Sequence, residues 1–274
     1  MQNTIAYIIL GVISVTVLLP VLYAVLGSFK STREILTEGG LLPKIFTFEN
    51  YIDAFKKGHF EKYTLNSIII AVSDTFIGLF NITAVGFCFA RSNFFGKKLL
   101  KTMILLTMFI ALGPMTLYPV ITVIRGMGLQ NSIWGIVIGL VTGMGSGVFI
   151  FEAFFKSQGG EIDEAAVIDG CNFFQRYFFI ALPLCKPLIA TYSVLIFSSA
   201  WNSFFLPYIL TFNRIQNQPL SVAIVSLMDM GGEGSTAWGL LFAGACLAII
   251  PVLLVYSFTS RWFIKGITEG AVKF

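Results

Sequence analysis

The stretch KSQGGEIDEAAVIDGCNFFQRYFFIALPLCK, Lys156–Lys186, breaks a chain that is apolar on both sides of it. It holds four of the fourteen acids: Glu161, Asp163, Glu164 and Asp169. A connection of this length needs structure of its own. Gly159-Gly160 ends the helix before it. Glu161–Asp169 then reads as a short helix, with carboxylates in the first turn, where the helix dipole favours them. Ala165 and Ala166 give it a small face for close approach, and Gly170 stands where a left-handed residue caps a helix end. Asn172, a good N-cap, opens a second short helix through Phe173, Phe174, Tyr177 and Phe178, which Leu182-Pro183 stops. Two short helices meeting at a turn make either a knob that seats in a partner's groove or an interfacial amphipathic linker that serves only topology.

Outward from this stretch the chain is dominated by uncharged runs. Six are long enough to span a bilayer: approximately 5–29, 65–90, 102–124 and 133–155 before or at the loop, and 187–212 and 235–260 after it. Their apolar residues lie all round rather than alternating, which fits lipid-facing helices and not barrel strands. Helices also satisfy their own backbone in hydrocarbon. Composition agrees: 56% of residues are hydrophobic and 12% charged, with a mean hydropathy of +0.84, against roughly 25% charge in an average soluble domain. An ordinary cytosolic enzyme, a disordered chain and a nucleic-acid binder are excluded, and the net charge of +4 is too scattered for a polyanion partner. Met1-Gln2-Asn3-Thr4 carries no Lys or Arg and no small-x-small site follows the first run, so it reads as a retained helix rather than a signal peptide.

The placement of Lys and Arg sets orientation. The short turn Arg91–Lys101, with Lys97 and Lys98, holds four basic residues in eleven. Six of the eight basic residues on the opposite side sit in the long first loop, Lys30–Lys62, where they weigh less. Both termini therefore read as cytoplasmic. Trp134, Trp201, Trp238 and Trp262 fall near span ends, as interfacial aromatics do. Cys88, Cys171, Cys185 and Cys246 show no CxxC spacing and read as free thiols. His59 is the single histidine, so neither a His-based metal cluster nor a His-assisted triad is available. No Walker A, HExxH or GxSxG pattern occurs. Gly145-Ser146-Gly147 reads as small residues for helix packing.

Glu164-Ala165-Ala166, Gly170, Ile180, Leu182 and Pro183, placed after the fourth of six spans, resemble the EAA loop of binding-protein-dependent ABC importer permeases. The resemblance extends over nearly the whole chain and is closest to the carbohydrate branch. It is carried by Ser28-Phe29-Lys30, Pro43-Lys44, Phe48-Glu49-Asn50-Tyr51, Leu65-Asn66-Ser67, Phe89-Ala90-Arg91, Gly128-Leu129-Gln130-Asn131 and Trp201-Asn202. The tail from Arg261-Trp262-Phe263 to Gly270-Ala271-Val272-Lys273 also belongs to it. The type most similar is the second permease subunit of maltose-like and multiple-sugar importers. The chain departs from the pattern at Gly159-Gly160, where an Ile-Pro pair is usual, at Ser203, where an acid often follows Trp-Asn, and at Glu269 and Phe274 in the tail.

This resemblance implies a type I ABC importer permease fold, all-α, with six transmembrane helices in a single permease domain over 1–274. The coupling loop, 156–186, lies between the fourth and fifth helices. It implies half of a translocation pathway for di- or oligosaccharides in a bacterial inner membrane. The partners would be a second, homologous permease chain, homodimeric ATPase subunits, an extracellular or periplasmic sugar-binding protein and membrane lipid. It implies no nucleic acid, no metal, no catalytic group and no cofactor on this chain, with ATP and Mg held by the ATPase. Glu161, Glu164, Ala165, Ala166, Asp169, Gly170, Leu182 and Pro183 would form the ATPase-coupling site, with Glu164 as the charged contact. Local pairing of Glu164 with Arg176 or Lys156 is the alternative. The first outer loop and the outer turn Asn213–Gly234 would dock the delivery protein, unless they are plain solvated surface.

Asp74 lies inside a span, where an acid is costly and marks function by default. It either lines a sugar path or hydrogen-bonds to Ser73, Thr75 or a neighbouring chain. Asn81, Trp201 and Asn202 are the further candidates for that path. A stand-alone secondary transporter or channel is the rival class, but it favours an internal repeat or several in-membrane ionisable groups, and Asp74 is the one acid within Ile5–Phe29, Leu65–Ala90, Thr102–Ile124, Ile133–Phe151, Leu188–Asn213 and Ser235–Ser260.

Overall fold

The computed structural model describes residues 2–56, 58–109, 113–141, 145–227 and 237–271. The middle of the expected span 102–124, the start of 235–260, Gly234 of the outer turn, and Val272, Lys273 and Phe274 of the tail lie outside the described residues, as do the side chains of Arg261, Trp262 and Glu269.

The described residues are helical, with no strand among them. Before the loop 156–186 stand α1 (Gln2–Gly27), α2 (Thr32–Thr37), α3 (Glu49–Lys56) and α4 (Phe60–Arg91). They are followed by α5 (Lys97–Phe109), α6 (Leu117–Gly126), α7 (Ile133–Val141) and α8 (Gly145–Ser157). The loop itself forms α9 (Glu161–Ile168) and α10 (Phe173–Leu184). Then come α11 (Lys186–Trp201), α12 (Phe205–Thr211), α13 (Leu220–Leu227) and α14 (Trp238–Ala271). By length and composition α1, α4 and α14 each suffice to cross a membrane, and two bent pairs bring the number to as many as five. In those pairs α7 and α8 meet at 54°, and α10 and α11 at 81°. The expected span 65–90 sits within α4, which begins five residues earlier. The run 187–212 is divided at Asn202-Ser203-Phe204, and 102–124 between α5 and α6.

Contacts divide the chain into two compact units, Met1–Ser67 with Ile215–Leu253, and Ile68–Arg214 with Leu254–Phe274. In the first unit, the edge of Tyr23 meets Phe242 at 5.7 Å, joining α1 to α14. From Ala6 to Leu22 the side chains of α1 are exposed along its whole length, as a helix solvated by lipid requires. The first outer loop is folded onto itself. Phe29 gathers Phe46, Phe48 and Tyr51 around it. Asn50 Nδ2 donates to the carbonyls of Ser28 and Lys30, each at 2.8 Å. The buried Lys30 ammonium donates to the Gly40 carbonyl. Asn66 and Ser67 fix the outer turn. Asn66 Nδ2 donates to the Gln216 and Gln218 carbonyls at 2.9 Å, and Ser67 Oγ accepts from the Leu220 amide at 2.7 Å.

The second unit has two apolar cores. Ile70, Ile121, Ile124, Ile136, Val137, Leu206 and Leu210 join α4, α6, α7 and α12. The other core is aromatic: Phe87 and Phe89 of α4, Phe151 and Phe155 of α8, and Tyr177 of α10 pack with Ala181, Cys185 and Ile196. Gly86 permits it, because a Cβ there would stand 2.9 Å from Phe151 Cβ and 3.1 Å from the Val148 carbonyl oxygen. Helices α4 and α8 touch backbone to side chain at that point, the close approach that small residues give in membrane bundles.

Candidate functional site

The segment 157–186 builds a knob from two capped helices. Gly159 leaves α8 with φ +73°. Helix α9 closes in a Schellman motif: Gly170, at φ +82°, donates to the Val167 carbonyl at 3.0 Å, and Cys171 donates to Ala166 at 2.9 Å. Asn172 then starts α10 with a reciprocal capping box, its Oδ1 accepting from the Gln175 amide at 2.9 Å and Gln175 Oε1 accepting from the Asn172 amide at 2.8 Å. Leu182-Pro183 does not stop this helix. It passes through a π segment, Arg176–Ala181, continues to Leu184, and turns by 81° at Cys185 into α11. Leu182 and Pro183 thus lie one turn before that corner. Pro183 fits because it stands in the first turn of the segment that follows the π turn, where a missing backbone N–H is tolerated.

The acids of α9 divide into two sets. Asp163 turns inward: its Oδ2 accepts from Arg176 Nη1 at 2.7 Å and lies 3.9 Å from Arg91 Nε. Arg91 in turn donates to the carbonyls of Phe155 at 2.8 Å and Gly159 at 2.6 Å, so one guanidinium ties α4, α8 and the base of the knob together. Glu161, Glu164 and Asp169 are exposed, beside exposed Ile162, Val167 and Ile168. The local partners considered for Glu164 are occupied, Arg176 by Asp163 and Lys156 by Glu152. Ala165 is exposed, whereas Ala166 is buried.

The knob is braced to the helices beneath it. Phe87 lies 5.1 Å from Phe173, 5.5 Å from Phe155 and 5.5 Å from Tyr177 between ring centroids. The Tyr177 hydroxyl meets Thr83 Oγ1 at 2.8 Å, and burial pushes that phenol's pKa up despite this bond. Burial likewise pushes the Cys185 thiol up to about 12. Sequence reasoning missed Asp163, Arg91 and Arg176 as the anchor, since four acids in nine residues carry no mark of which one faces inward. It also missed Glu152, 4% exposed, which accepts from Lys101 Nζ at 2.6 Å and pairs with Lys156 at 2.8 Å.

The path candidates separate. Asp74 is the fifteenth residue of the 32-residue α4, about 21 Å along from Phe60, and so stands near its middle rather than near its end. It lines a cavity of about 270 Å³ with Ser146, Tyr192, Ser199 and aliphatic neighbours. Thr75 is not its partner, because that hydroxyl donates to the Ala71 carbonyl at 2.6 Å. Asn81 and Asn202 are exposed, Asn202 bonding to Ser198, and Trp201 stacks on Phe197 at 5.7 Å. None of these three lines the cavity.

Residues 82–269 match the family described as binding-protein-dependent transport system inner membrane component. The chain belongs to this family. It is a multi-pass membrane permease of an ABC importer and works with a partner permease, a separate ATPase subunit and a substrate-binding protein. ATP is hydrolysed on that other subunit, so this permease is not itself an enzyme. The chain is similar to the arabinooligosaccharides transport system permease AraQ of Bacillus subtilis, 29% identical over 95% of this chain and 92% of the relative. It is also similar to the trehalose transport system permease SugB of Mycobacterium tuberculosis, 30% identical over 93% of this chain and 92% of the relative. The fold matches a permease chain in the crystal structure of a bacterial ABC transporter involved in the import of the acidic polysaccharide alginate. There the TM-score is 0.83 with 23% identity, over 96% of both chains. The permease fold and the importer class are thereby fixed. A stand-alone transporter or channel does not fit a family whose members work with an ATPase.

Proposed function

We propose that this permease carries carbohydrate, as di- or oligosaccharides, across a bacterial inner membrane. It would be one half of a pathway completed by a second, homologous permease. The proposal takes 1–274 as one permease domain with six spans, near 5–29, 65–90, 102–124, 133–155, 187–212 and 235–260, and both termini cytoplasmic. The loop 156–186 would couple to a homodimeric ATPase. The first outer loop and the turn after Asn213 would receive the delivery protein. The carbohydrate assignment rests on the substrates named for the relatives that match nearly end to end.

One observation supports the coupling role: the knob spends Asp163 on its own anchor and leaves Glu161, Glu164 and Asp169 exposed beside Ile168. An acidic rim around an apolar tip suits a cleft with basic walls. Closure of the ATPase dimer on nucleotide would then move the knob. Phe87, Tyr177 and Arg91 would pass that movement into α4 and α8. Nucleotide can bias the permease only through contacts that differ between its inward and outward states, and a rigid, braced knob provides them.

Reconstitution tests the proposal. Vesicles holding both permeases and the ATPase, given delivery protein outside and ATP inside, are expected to accumulate trehalose or an arabinooligosaccharide. Uptake should cease when the ATPase is omitted. Uptake by this chain alone, insensitive to ATP, would sink the reading.

A further inference from the structure

Where α4 gives way to α5, at the end of a span, the surface carries an apolar groove of about 400 Å³. Its walls are Ala84, Val85 and Phe89 of α4, Leu100 and Ile104 of α5, and Phe94 of the turn between them. Phe94 stacks on Phe89, with ring centroids 6.3 Å apart and 15° between the planes. The volume falls within the about 300–1,000 Å³ of small-molecule sites. Such sites fix their ligands with a few polar groups, whereas the only heteroatom in these lining side chains is the Cys88 thiol, a weak donor. The groove therefore suits hydrocarbon. Around it Phe95 is fully exposed, and Leu99 and Met103 of α5 are exposed too, as an apolar edge set into the acyl boundary of a membrane would be.

Ammonium groups stand beside this groove. Lys97 lies one turn before Leu100 and so shares its side of α5. Its Nζ donates to the Ser92 carbonyl at 2.6 Å and to Asn93 Oδ1 at 3.4 Å, next in sequence to Phe94. Both acceptors are neutral, and an ammonium has three N–H donors, so the charge is uncompensated and one donor is left over. Lys98 is exposed, and no acid pairs with Lys97 or Lys98 among the described residues. Lys101 differs. Its Nζ lies 5.8 Å from the centre of the Phe89 ring, but Glu152 answers its charge at 2.6 Å. Lys156 shares that same carboxylate, so further positive charge is left over nearby. Arg91 ends α4 and donates to the Gly159 carbonyl at 2.6 Å, which puts the turn on the side of the bundle where the knob begins.

A hydrocarbon groove with uncompensated ammonium groups beside it, at the end of a span, matches a molecule with an apolar tail and an anionic head. Basic residues beside a span favour anionic headgroups in this way. A transmembrane helix of another chain would fill the groove but leave Lys97 and Lys98 unanswered. We propose that the groove between α4 and α5 binds an anionic phospholipid. One acyl chain lies between Ala84 and Leu100, the headgroup phosphate accepts from Lys97, and Lys98 adds its charge from the next position on the helix.

Photo-crosslinking in the complete importer tests it. The importer is placed in phosphatidylcholine vesicles with a small share of lipid carrying a diazirine on one acyl chain, its headgroup either phosphatidylglycerol or phosphatidylcholine. Crosslinks are mapped to peptides of 84–104. The phosphatidylglycerol form is expected to label them more strongly, by about fivefold for each of the two ammonium groups. Lys97→Gln together with Lys98→Gln should bring the two lipids to one level, while ATPase and second permease co-purify as in wild type. Leu100→Trp fills the groove from an exposed position and should remove the labelling with both lysines in place. Should Leu100→Trp prevent assembly, the lysine pair decides. Equal labelling by the two lipids in wild type overturns the site, as does a headgroup preference that survives loss of both lysines. Undiminished labelling in assembled Leu100→Trp puts the lipid outside the groove and overturns it as well. Labelling of 84–104 by neither lipid shows the groove covered by protein in the assembled importer, and overturns it in favour of the second permease. None of these readouts depends on which substrate the importer carries.

Discussion

Asp163 Oδ2 and Arg176 Nη1 stand 2.7 Å apart and join the two helices of the knob across thirteen residues of chain. Both side chains are more than four-fifths covered, and Arg176 Nε is buried without a partner. The pair therefore sets the angle between α9 and α10, and with it the direction in which Glu161, Glu164 and Asp169 face.

Asp163→Asn is expected to loosen the knob without unfolding the permease. Arg176 and Arg91 would lose their shared carboxylate in a mostly covered site, a cost of about 1–3 kcal/mol. Hydrogen exchange should report faster exchange of the amides of 164–171, with those of α4 unchanged. Exchange in 164–171 matching wild type would remove Asp163 from this role.

Gly170 gives a prediction on backbone conformation alone. Nothing stands within 4 Å of a Cβ built there, so sterics with neighbours play no part. At φ +82° a side chain costs about 1–2 kcal/mol, less for Asn, which tolerates this region. Gly170→Val should weaken delivery-protein-stimulated ATP hydrolysis more than Gly170→Asn does. Equal activities would show that the Schellman end is not what presents the acidic rim.

The thiols offer a chemical test. Alkylation needs the thiolate, and Cys185 is 0% exposed with its pKa pushed up to about 12. At pH 8 it lies far below that value, so it stays a buried, protonated thiol. Half-buried Cys171 sits at the tip of the Gly170 turn. A maleimide should label Cys171 and spare Cys185 until the protein is denatured, and bound ATPase should slow labelling of Cys171. Prompt labelling of Cys185 in the folded permease would contradict the packing beneath the knob.

Glu152 bridges α5 and α8 through Lys101, with Lys156 on its other side. A double-mutant cycle on Glu152→Gln and Lys101→Met, read as thermal stability of the purified complex, should give a coupling energy of about 1–3 kcal/mol. A value near zero would make the pair incidental.

The sequence marks features made by one residue in one conformation. Gly170 and Asn172 are legible for that reason: left-handed backbone and an N-cap each have a narrow choice of side chain. Asp163 and Glu164 are adjacent acids on one short helix, and only the placement of Arg176 and of the sequence-distant Arg91 tells them apart. The π segment Arg176–Ala181 has no residue signature at all. Along it Tyr177 reaches Thr83, while Phe173 just before it packs on Phe87. Asp74 was visible as an acid in a span. Its cavity was not, since Ser146, Tyr192 and Ser199 come from helices whose register is set by packing against Ile82 and Phe151.

Whether the exposed acidic edge of α9 attaches the ATPase is decided by Glu164→Lys in the complete importer. The amount of ATPase that co-purifies with the two permeases should be measured beside wild type. Normal membrane insertion and normal recovery of the second permease are expected, with most of the ATPase lost. Full recovery of the ATPase, with undiminished delivery-protein-stimulated hydrolysis, would contradict that attachment.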